Sequence, residues 1–258
     1  MMDPRGILFD LDGVIYEGNS LIPGSVEALN KIKLAKIPYH FITNTTRMTK
    51  NDLVVFLKGM GLNVAPESVF SAPQVALEYC KLKGYKKISL IVPDPKMEQD
   101  FSSFQQVDIN PDAIVLGDMG QFFTFELLNQ LFNKAINGSQ IVAMHKNRYW
   151  KSDVGLTIDL GTFVAALEYA SGKSAAVMGK PDPNMFHLAA RLWSVPPDSV
   201  IVIGDDIEGD IFGAQSAGMK SVLVKTGKFR EDVLAQSKIK PDHIIESVAN
   251  LPGLLRLS

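Results

Sequence analysis

Two carboxylates two positions apart in a short stretch, Asp10-Leu11-Asp12-Gly13-Val14, are the first residues in this chain that could do chemistry. They follow the apolar run Ile7 to Phe9, which reads as a strand ending abruptly in acids. Alternate residues of an extended chain point the same way, so Asp10 and Asp12 would share a face. Carboxylates held close repel each other unless a cation sits between them or one keeps its proton. Oxygen-only ligands of this kind suit Mg²⁺. Gly13 lets the backbone turn tightly or lets a ligand approach it. A surface loop with two solvated acids is the plainer alternative for this stretch alone.

A second acidic cluster, Gly204-Asp205-Asp206-Ile207-Glu208-Gly209-Asp210, directly follows the β-branched run Ser199 to Ile203. One such acid is explained as a helix cap, because carboxylates accept the free amides of a first turn. Four acids in six residues after a buried strand are not. Thr43 and Asn44 end another apolar run, Tyr39 to Ile42, and Lys180 follows a further one, Ala175 to Met178. A hydroxyl, free backbone amides and a lysine together make a cradle for phosphoryl oxygens. Singly, Thr43 is as well read as a cap and Lys180 as a loop charge. A parallel sheet brings its strand ends to one edge, where ligands bind. Four such ends would together form a site for Mg²⁺ and a phosphoryl group.

The elements that must position these residues alternate along the chain. Helical spacing over Val26 to Ala35 and Leu53 to Met60 separates the first strands, and Gly61 closes the second helix. Toward the C-terminus, Pro183 to Trp193 reads as a helix, and Lys220 to Val224 and His243 to Ile245 read as strands. This alternation predicts an α/β fold: a Rossmann-like parallel sheet with helices on both faces. The middle of the chain has strand-like runs of its own at Ile88 to Val92, Ala113 to Leu116 and Gln140 to Ala143. There an amphipathic helix over Thr124 to Ile136 puts Phe125, Leu128, Leu131, Phe132 and Ala135 on one face, where core packing is expected. Periodicity leaves open whether this block extends one sheet or forms a separate unit.

Composition sets the bounds. With 258 residues the chain is long enough for roughly 1.7 domains at average domain size. Its 26 basic and 28 acidic residues leave a net charge of −2, which argues against nucleic acid or an anionic membrane as partners held by bulk charge. No stretch approaches the roughly 20 apolar residues needed to span a bilayer. Asp10 and Asp12 break the apolar N-terminal run, so no signal peptide is read there and a cytoplasmic location is expected. The single cysteine, Cys80, cannot form an internal disulfide and is expected to be a buried, inert thiol. His40, His187 and His243 show no metal-ligand spacing.

In their order along the chain, Asp10-Leu11-Asp12-Gly13-Val14, Ile42-Thr43-Asn44, Gly179-Lys180-Pro181 and Gly204-Asp205-Asp206 with Asp210 resemble the four motifs of the haloacid dehalogenase superfamily of aspartate-nucleophile phosphotransferases. The spacing is similar to the branch with a cap domain inserted between its second and third motifs. The resemblance therefore implies a discontinuous catalytic core, 1–77 and 178–258, and a smaller α/β cap, 78–177. Within that branch the chain resembles the p-nitrophenyl-phosphatase-like enzymes, and more closely the phospholysine phosphohistidine inorganic pyrophosphate phosphatase group. Ala143 to Lys146, Phe163 to Tyr169, Gly204 to Asp210 and Lys225-Thr226-Gly227-Lys228 carry the closer similarity.

Carried onto these positions, the resemblance implies that Asp10 is the nucleophile and Asp12 the acid and base. Asp10, Asp205 and the Asp12 carbonyl would hold Mg²⁺, with Asp206 and Asp210 behind them. Thr43, the Asn44 amide and Lys180 would bind the phosphoryl oxygens. His145, Asn147 and Arg148, in the polar and aromatic run His145 to Trp150, would touch the leaving group or order the closed cap, and Asp159 to Thr162 would contribute through a free helix N-terminus. A solvated turn is the alternative for that run. The expected activity is Mg²⁺-dependent hydrolysis of small phosphorylated substrates, with phosphomonoesters, pyrophosphate and phosphoramidates as the candidates. A homodimer is implied by the resemblance alone. Two rivals remain: mutase or transferase chemistry of the same superfamily, and a phospho-acceptor signalling protein. The mutases usually place their cap between the first and second motifs, unlike this chain. Receiver domains put their acidic pair before the phosphorylated aspartate and have no cap.

Overall fold

The computed structural model describes residues 3–46, 48–152 and 155–257, and its side chains are described outside 150–156. The chain divides into two compact units, one formed by Met1–Thr43, Asn51–Phe70 and Lys180–Ser258, the other by Asn44–Lys50 and Ser71–Gly179. The expected division at 77/78 falls inside a helix, and the observed one lies at Phe70/Ser71.

Along the chain the elements are β1 (Gly6–Asp10), α1 (Ser25–Leu34), β2 (Tyr39–Thr43), α2 (Lys50–Gly59), β3 (Val69–Ser71) and α3 (Ala72–Leu82). There follow β4 (Lys87–Ile91), β5 (Gln105–Gln106), β6 (Ala113–Leu116), α4 (Phe125–Ile136) and β7 (Gln140–Ala143). Next come the antiparallel pair β8 (Tyr149–Ser152) and β9 (Gly155–Ile158), then α5 (Leu160–Ser171) and β10 (Ala176–Val177). The chain ends with α6 (Pro183–Ala190), β11 (Val200–Gly204), α7 (Gly213–Ser216), β12 (Lys220–Val224), α8 (Glu231–Gln236), β13 (His243–Ile245) and α9 (Leu251–Leu254).

The first unit is built on a six-stranded sheet in the order β13-β12-β11-β1-β2-β3. Its pairs from β13 to β2 are parallel. All five residues of β1 and all five of β11 are buried, as required of central strands covered by helices on both faces. Each large apolar side chain so buried contributes about 1.5–3 kcal/mol relative to exposure. β1 lies between β11 and β2, and its partners continue the chain in opposite directions across the sheet. That is the switch point at which open parallel sheets leave a crevice at their carboxyl ends.

The second unit has its own parallel sheet, in the order β10-β7-β6-β4-β5. This corrects the expectation for Ala175 to Met178. Its ordered part, β10, pairs with β7 and belongs to this sheet. Lys180 therefore does not stand at the end of a strand of the six-stranded sheet. A second correction concerns Phe125, which is 79% exposed, while Leu131 and Ala135 on the same helix are fully buried. Thr124 accepts from the Leu127 amide and caps α4, which puts Phe125 at the first helical position. A ring there overhangs the helix end, outside the buried stripe. Its neighbour Phe123 is buried instead and stacks on Phe163 with ring centroids 4.1 Å apart. Cys80 is buried, and burial pushes its thiol up to about 12. Among the described residues, no helix is long and apolar enough to cross a membrane.

Candidate active site

At the carboxyl end of β1 the first unit gathers three carboxylates and one ammonium. Asp10, Asp205 and Asp210 are all buried, and one oxygen of each lies within 4.8 Å of the others. Lys180 sits between two of them, with Nζ 2.6 Å from Asp10 Oδ1 and 2.7 Å from Asp210 Oδ1. Burial alone would lower the affinity of this lysine for its proton. Asp10 and Asp210 more than reverse that, holding it above its ordinary range and charged.

The local folding of residues 204–216 explains how Asp210 comes back to the strand end. β11 stops at Gly204, and Asp206 caps the following turn, accepting from the Glu208 and Gly209 amides at 2.9 and 3.0 Å. The turn Ile207–Phe212 is π-helical, with the Ile211 amide donating five residues back to the Asp206 carbonyl. Such turns interrupt helices mostly at functional sites. Here the turn folds Asp210 against Gly204, where any larger residue would overlap the Asp210 carboxyl group. Asp210 Oδ2 then accepts from the amides of Asp205 and Asp206 at 3.2 and 3.1 Å, while Oδ1 takes Lys180.

Asp205 is used differently. Its Oδ2 accepts from the Lys228 amide at 2.7 Å, and its Oδ1 is buried with no hydrogen-bond partner. Burial, then the nearby charges of Asp10 and Asp210, push its carboxyl group up to about 8. Burial, followed by Asp10, pushes Asp210 up to about 6, against the pull of Lys180. Three buried acids with one lysine leave excess negative charge, which either protons or a cation must offset. The orphaned Asp205 Oδ1 and the all-oxygen donor set fit a hard divalent cation. Both oxygens of Asp210 are already engaged, so Asp10 and Asp205 are the side chains left to face such an ion.

The remaining expected residues fall as follows. Thr43 is buried at the end of β2, one step beyond Ile42, the register partner of Asp10. Asn44 follows it and groups with the second unit. Asp12 is exposed, outside the three-carboxylate cluster, in the tight turn where the Gly13 amide donates to the Tyr16 carbonyl. Asp206 serves its own turn as a cap. Tyr16, not anticipated from sequence, feels this site electrostatically: burial, then Asp12 and Asp10, push its phenol up to about 12. The stretch after β12, singled out in the sequence only for its similarity, also reaches the site. Thr226 Oγ1 donates to the Gly13 carbonyl at 2.5 Å, and Lys228 supplies the amide on Asp205. A Thr-Gly pair one residue beyond a buried parallel strand was the available signal.

His145, Asn147 and Arg148 belong to the second unit. His145 directly follows the β7 end through Met144 and is 4% exposed, Asn147 is half-buried and Arg148 exposed. The His145 Nε2 lies 3.8 Å from Asp159 Oδ1, which itself accepts the Leu160 amide and caps α5. Burial holds the imidazole below its ordinary range, against the pull of Asp159 and Asp118. The loop is tied to the α5 N-terminus by the Asp159 amide on the Arg148 carbonyl and the Gly161 amide on the Asn147 carbonyl. These bonds fix its backbone, while Lys146, Arg148 and Tyr149 stay exposed. The side chain of Trp150 lies outside the described residues.

The sequence model described as haloacid dehalogenase-like hydrolase matches residues 7–105, and a second hydrolase-like model of that family matches residues 177–251. A Bos taurus protein named haloacid dehalogenase-like hydrolase domain-containing protein 2 is 35% identical over 92% of this chain and 89% of its own length. The Homo sapiens phospholysine phosphohistidine inorganic pyrophosphate phosphatase is 33% identical over 97% of this chain and 94% of its own. Among solved structures, a 4-nitrophenylphosphatase from Thermotoga maritima superposes with a TM-score of 0.87 at 28% identity, covering 98% of this chain and 97% of that one. Identity of this extent, over nearly the whole length of both proteins, on a sheet whose central strand ends in the carboxylate cluster, places the chain in the haloacid dehalogenase-like hydrolases, as a phosphatase of that family.

Proposed function

We propose that this phosphatase hydrolyses small phosphorylated substrates in two steps through a phosphoryl group carried on Asp10. The observation that carries the reading is the buried ion-pair bridge Asp10–Lys180–Asp210 beside an Asp205 oxygen with no partner. Asp10 attacks phosphorus, the bond to the leaving oxygen breaks, and Asp12 gives that oxygen a proton. In the second step Asp12 takes a proton from water, whose oxygen attacks the phosphoryl group and releases Asp10 and phosphate. Asp12 suits the exchange because it is exposed and lies outside the carboxylate cluster. Lys180 offsets the charge of Asp10 as it meets an anionic substrate. Thr43, and by adjacency the Asn44 amide, are assigned to the phosphoryl oxygens.

Asp10, Asp205 and the Asp12 carbonyl are the groups that would hold Mg²⁺. When bound, the ion supplies charge neutralisation for the transferring phosphoryl group. The second unit, with His145, Asn147 and Arg148, is assigned the choice of leaving group. Pyrophosphate and phosphoramidates join phosphomonoesters as candidates because the Homo sapiens relative is named for phospholysine, phosphohistidine and pyrophosphate. A homodimer and a cytoplasmic location complete the reading. Sedimentation and fractionation test them.

The test is turnover of p-nitrophenyl phosphate. Multiple turnovers are expected in Mg²⁺, none in excess chelator, and none in Asp10→Asn. Full activity of that variant would remove the mechanism. A single burst leaving a stable phosphoenzyme would favour the signalling rival. A screen across phosphomonoesters, pyrophosphate and phosphoramidates then identifies the preferred substrate.

A further inference from the structure

We infer that Thr226, Gly227 and Lys228, together with Gly13, form a backbone clamp that sets the orientation of Asp205 and thereby the cation affinity of the site. The inference rests on the metal reading above and adds positioning residues to it.

Asp205 is only 2% exposed, although it sits in a loop whose neighbours in the clamp, Gly227 and Lys228, face solvent. What covers it is main chain. Gly13 and Gly227 both have left-handed backbones, with φ of 85° and 63°. A methyl group built on either would overlap Asp205 Oδ2, and one on Gly227 would also run into the Gly13 backbone. The two glycines thus lie against each other and against the same carboxylate oxygen. No other residue type tolerates both that conformation and that approach.

Three bonds hold the clamp closed. The Thr226 hydroxyl donates to the Gly13 carbonyl at 2.5 Å, tying the loop after β12 to the loop after β1. The Gly13 amide donates to the Tyr16 carbonyl at 2.7 Å, fixing the other jaw. The Lys228 amide donates to Asp205 Oδ2 at 2.7 Å. The base of the loop is anchored where the Lys225 amide donates to the Ile245 carbonyl at 3.1 Å.

The consequence is a division of labour within one carboxylate. Oδ2 accepts the Lys228 amide and is crowded by the two glycines, which restricts rotation of the carboxylate. Oδ1 is left buried, unpartnered and pointing one way. An outer hydrogen bond that fixes a ligand's orientation typically controls metal affinity by about 10–100-fold. Thr226 touches neither substrate nor ion in this scheme. It acts through Gly13 and Asp205, as a positioning residue.

The experiment measures Mn²⁺ affinity by electron paramagnetic resonance titration of the free ion, beside thermal unfolding in chelator. Thr226→Val is expected to weaken Mn²⁺ binding by about tenfold or more. Its chelated unfolding temperature should stay close to wild type, and Thr226→Ser should restore affinity to within about threefold. Should the valine variant fold poorly, Thr226→Ala removes the same hydroxyl without adding bulk and is read the same way. Wild-type affinity in the folded valine or alanine variant would overturn the clamp. Asp205→Asn separates the two claims. If it loses Mn²⁺ while the Thr226 variants keep it, the clamp alone fails. If wild type itself binds no Mn²⁺, the metal reading fails and the clamp falls with it.

Discussion

The two units of this chain each carry a parallel sheet with a buried ionisable group at or just past the end of an inner strand, yet they treat charge in opposite ways. In the first, Asp10 ends β1 and joins two more buried carboxylates around one lysine, so negative charge accumulates. In the second, His145 follows β7 and is held toward its neutral form by burial. Its acidic neighbour Asp159 is spent on capping α5. The fold thus offers a place, and the residue types decide whether that place stores charge. Stored charge is costly in a protein interior unless matched, so the first site must be offset by protons or a cation and the second need not be.

Lys180→Ala should break this contrast most severely. It leaves Asp10 and Asp210 buried without their counter-charge, and loss of one partner from such a pair costs about 3–5 kcal/mol. Chemical denaturation in chelator measures it, and turnover should fall by at least about a hundredfold. Gly204→Ala should come next, because the added methyl group overlaps Asp210 and must displace the acid that anchors Lys180. A destabilisation of about 1–3 kcal/mol is expected from overpacking.

The pH dependence separates the two regions by sign. Asp205 and Asp210 hold protons in the folded chain that the unfolded chain releases near pH 4. Without metal, their contribution is therefore present in acid and lost as pH rises through about 6 and then about 8. The stabilisation by Mg²⁺ should grow over the same range, and thermal shifts at stepped pH would show it. His145 behaves oppositely. The unfolded imidazole takes up a proton below its ordinary value of 6.5 and the folded one resists, so stability is lost as pH falls through that value. His145→Gln should flatten that acid limb and leave the alkaline one unchanged.

Smaller effects should mark the residues that only shape the loops. Asp206→Ala removes the cap on the π-helical turn and should cost about 1 kcal/mol. Phe125→Ser, at an exposed ring, should change stability by no more than about 0.5 kcal/mol. A larger loss there would mean that the ring is covered in the working protein.

Much of the first site was legible from sequence. A buried parallel strand is a local pattern of apolar residues, and its end is marked by the first acid, so Asp10 and Asp205 stood out. The second unit was less legible. β10 is two residues long, and no local pattern states which sheet so short a strand joins. Phe125 misled because helical spacing describes a face and says nothing about where along that face the packing stops.

By itself, then, the sequence determined the alternation of strand and helix, the four motifs in their order and the identity of the acids. Those features depend on near neighbours and on side-chain chemistry. Only the tertiary structure decided that Lys180 reaches Asp10 and Asp210 without standing at the end of a strand of their sheet. It alone decided that one oxygen of Asp205 is held while the other is left open. Thr226 and Gly13 are 213 positions apart, and their contact exists because two strand ends of one sheet emerge on the same edge. Contacts of that range leave no periodicity to read. They appear only when the chain has closed around them.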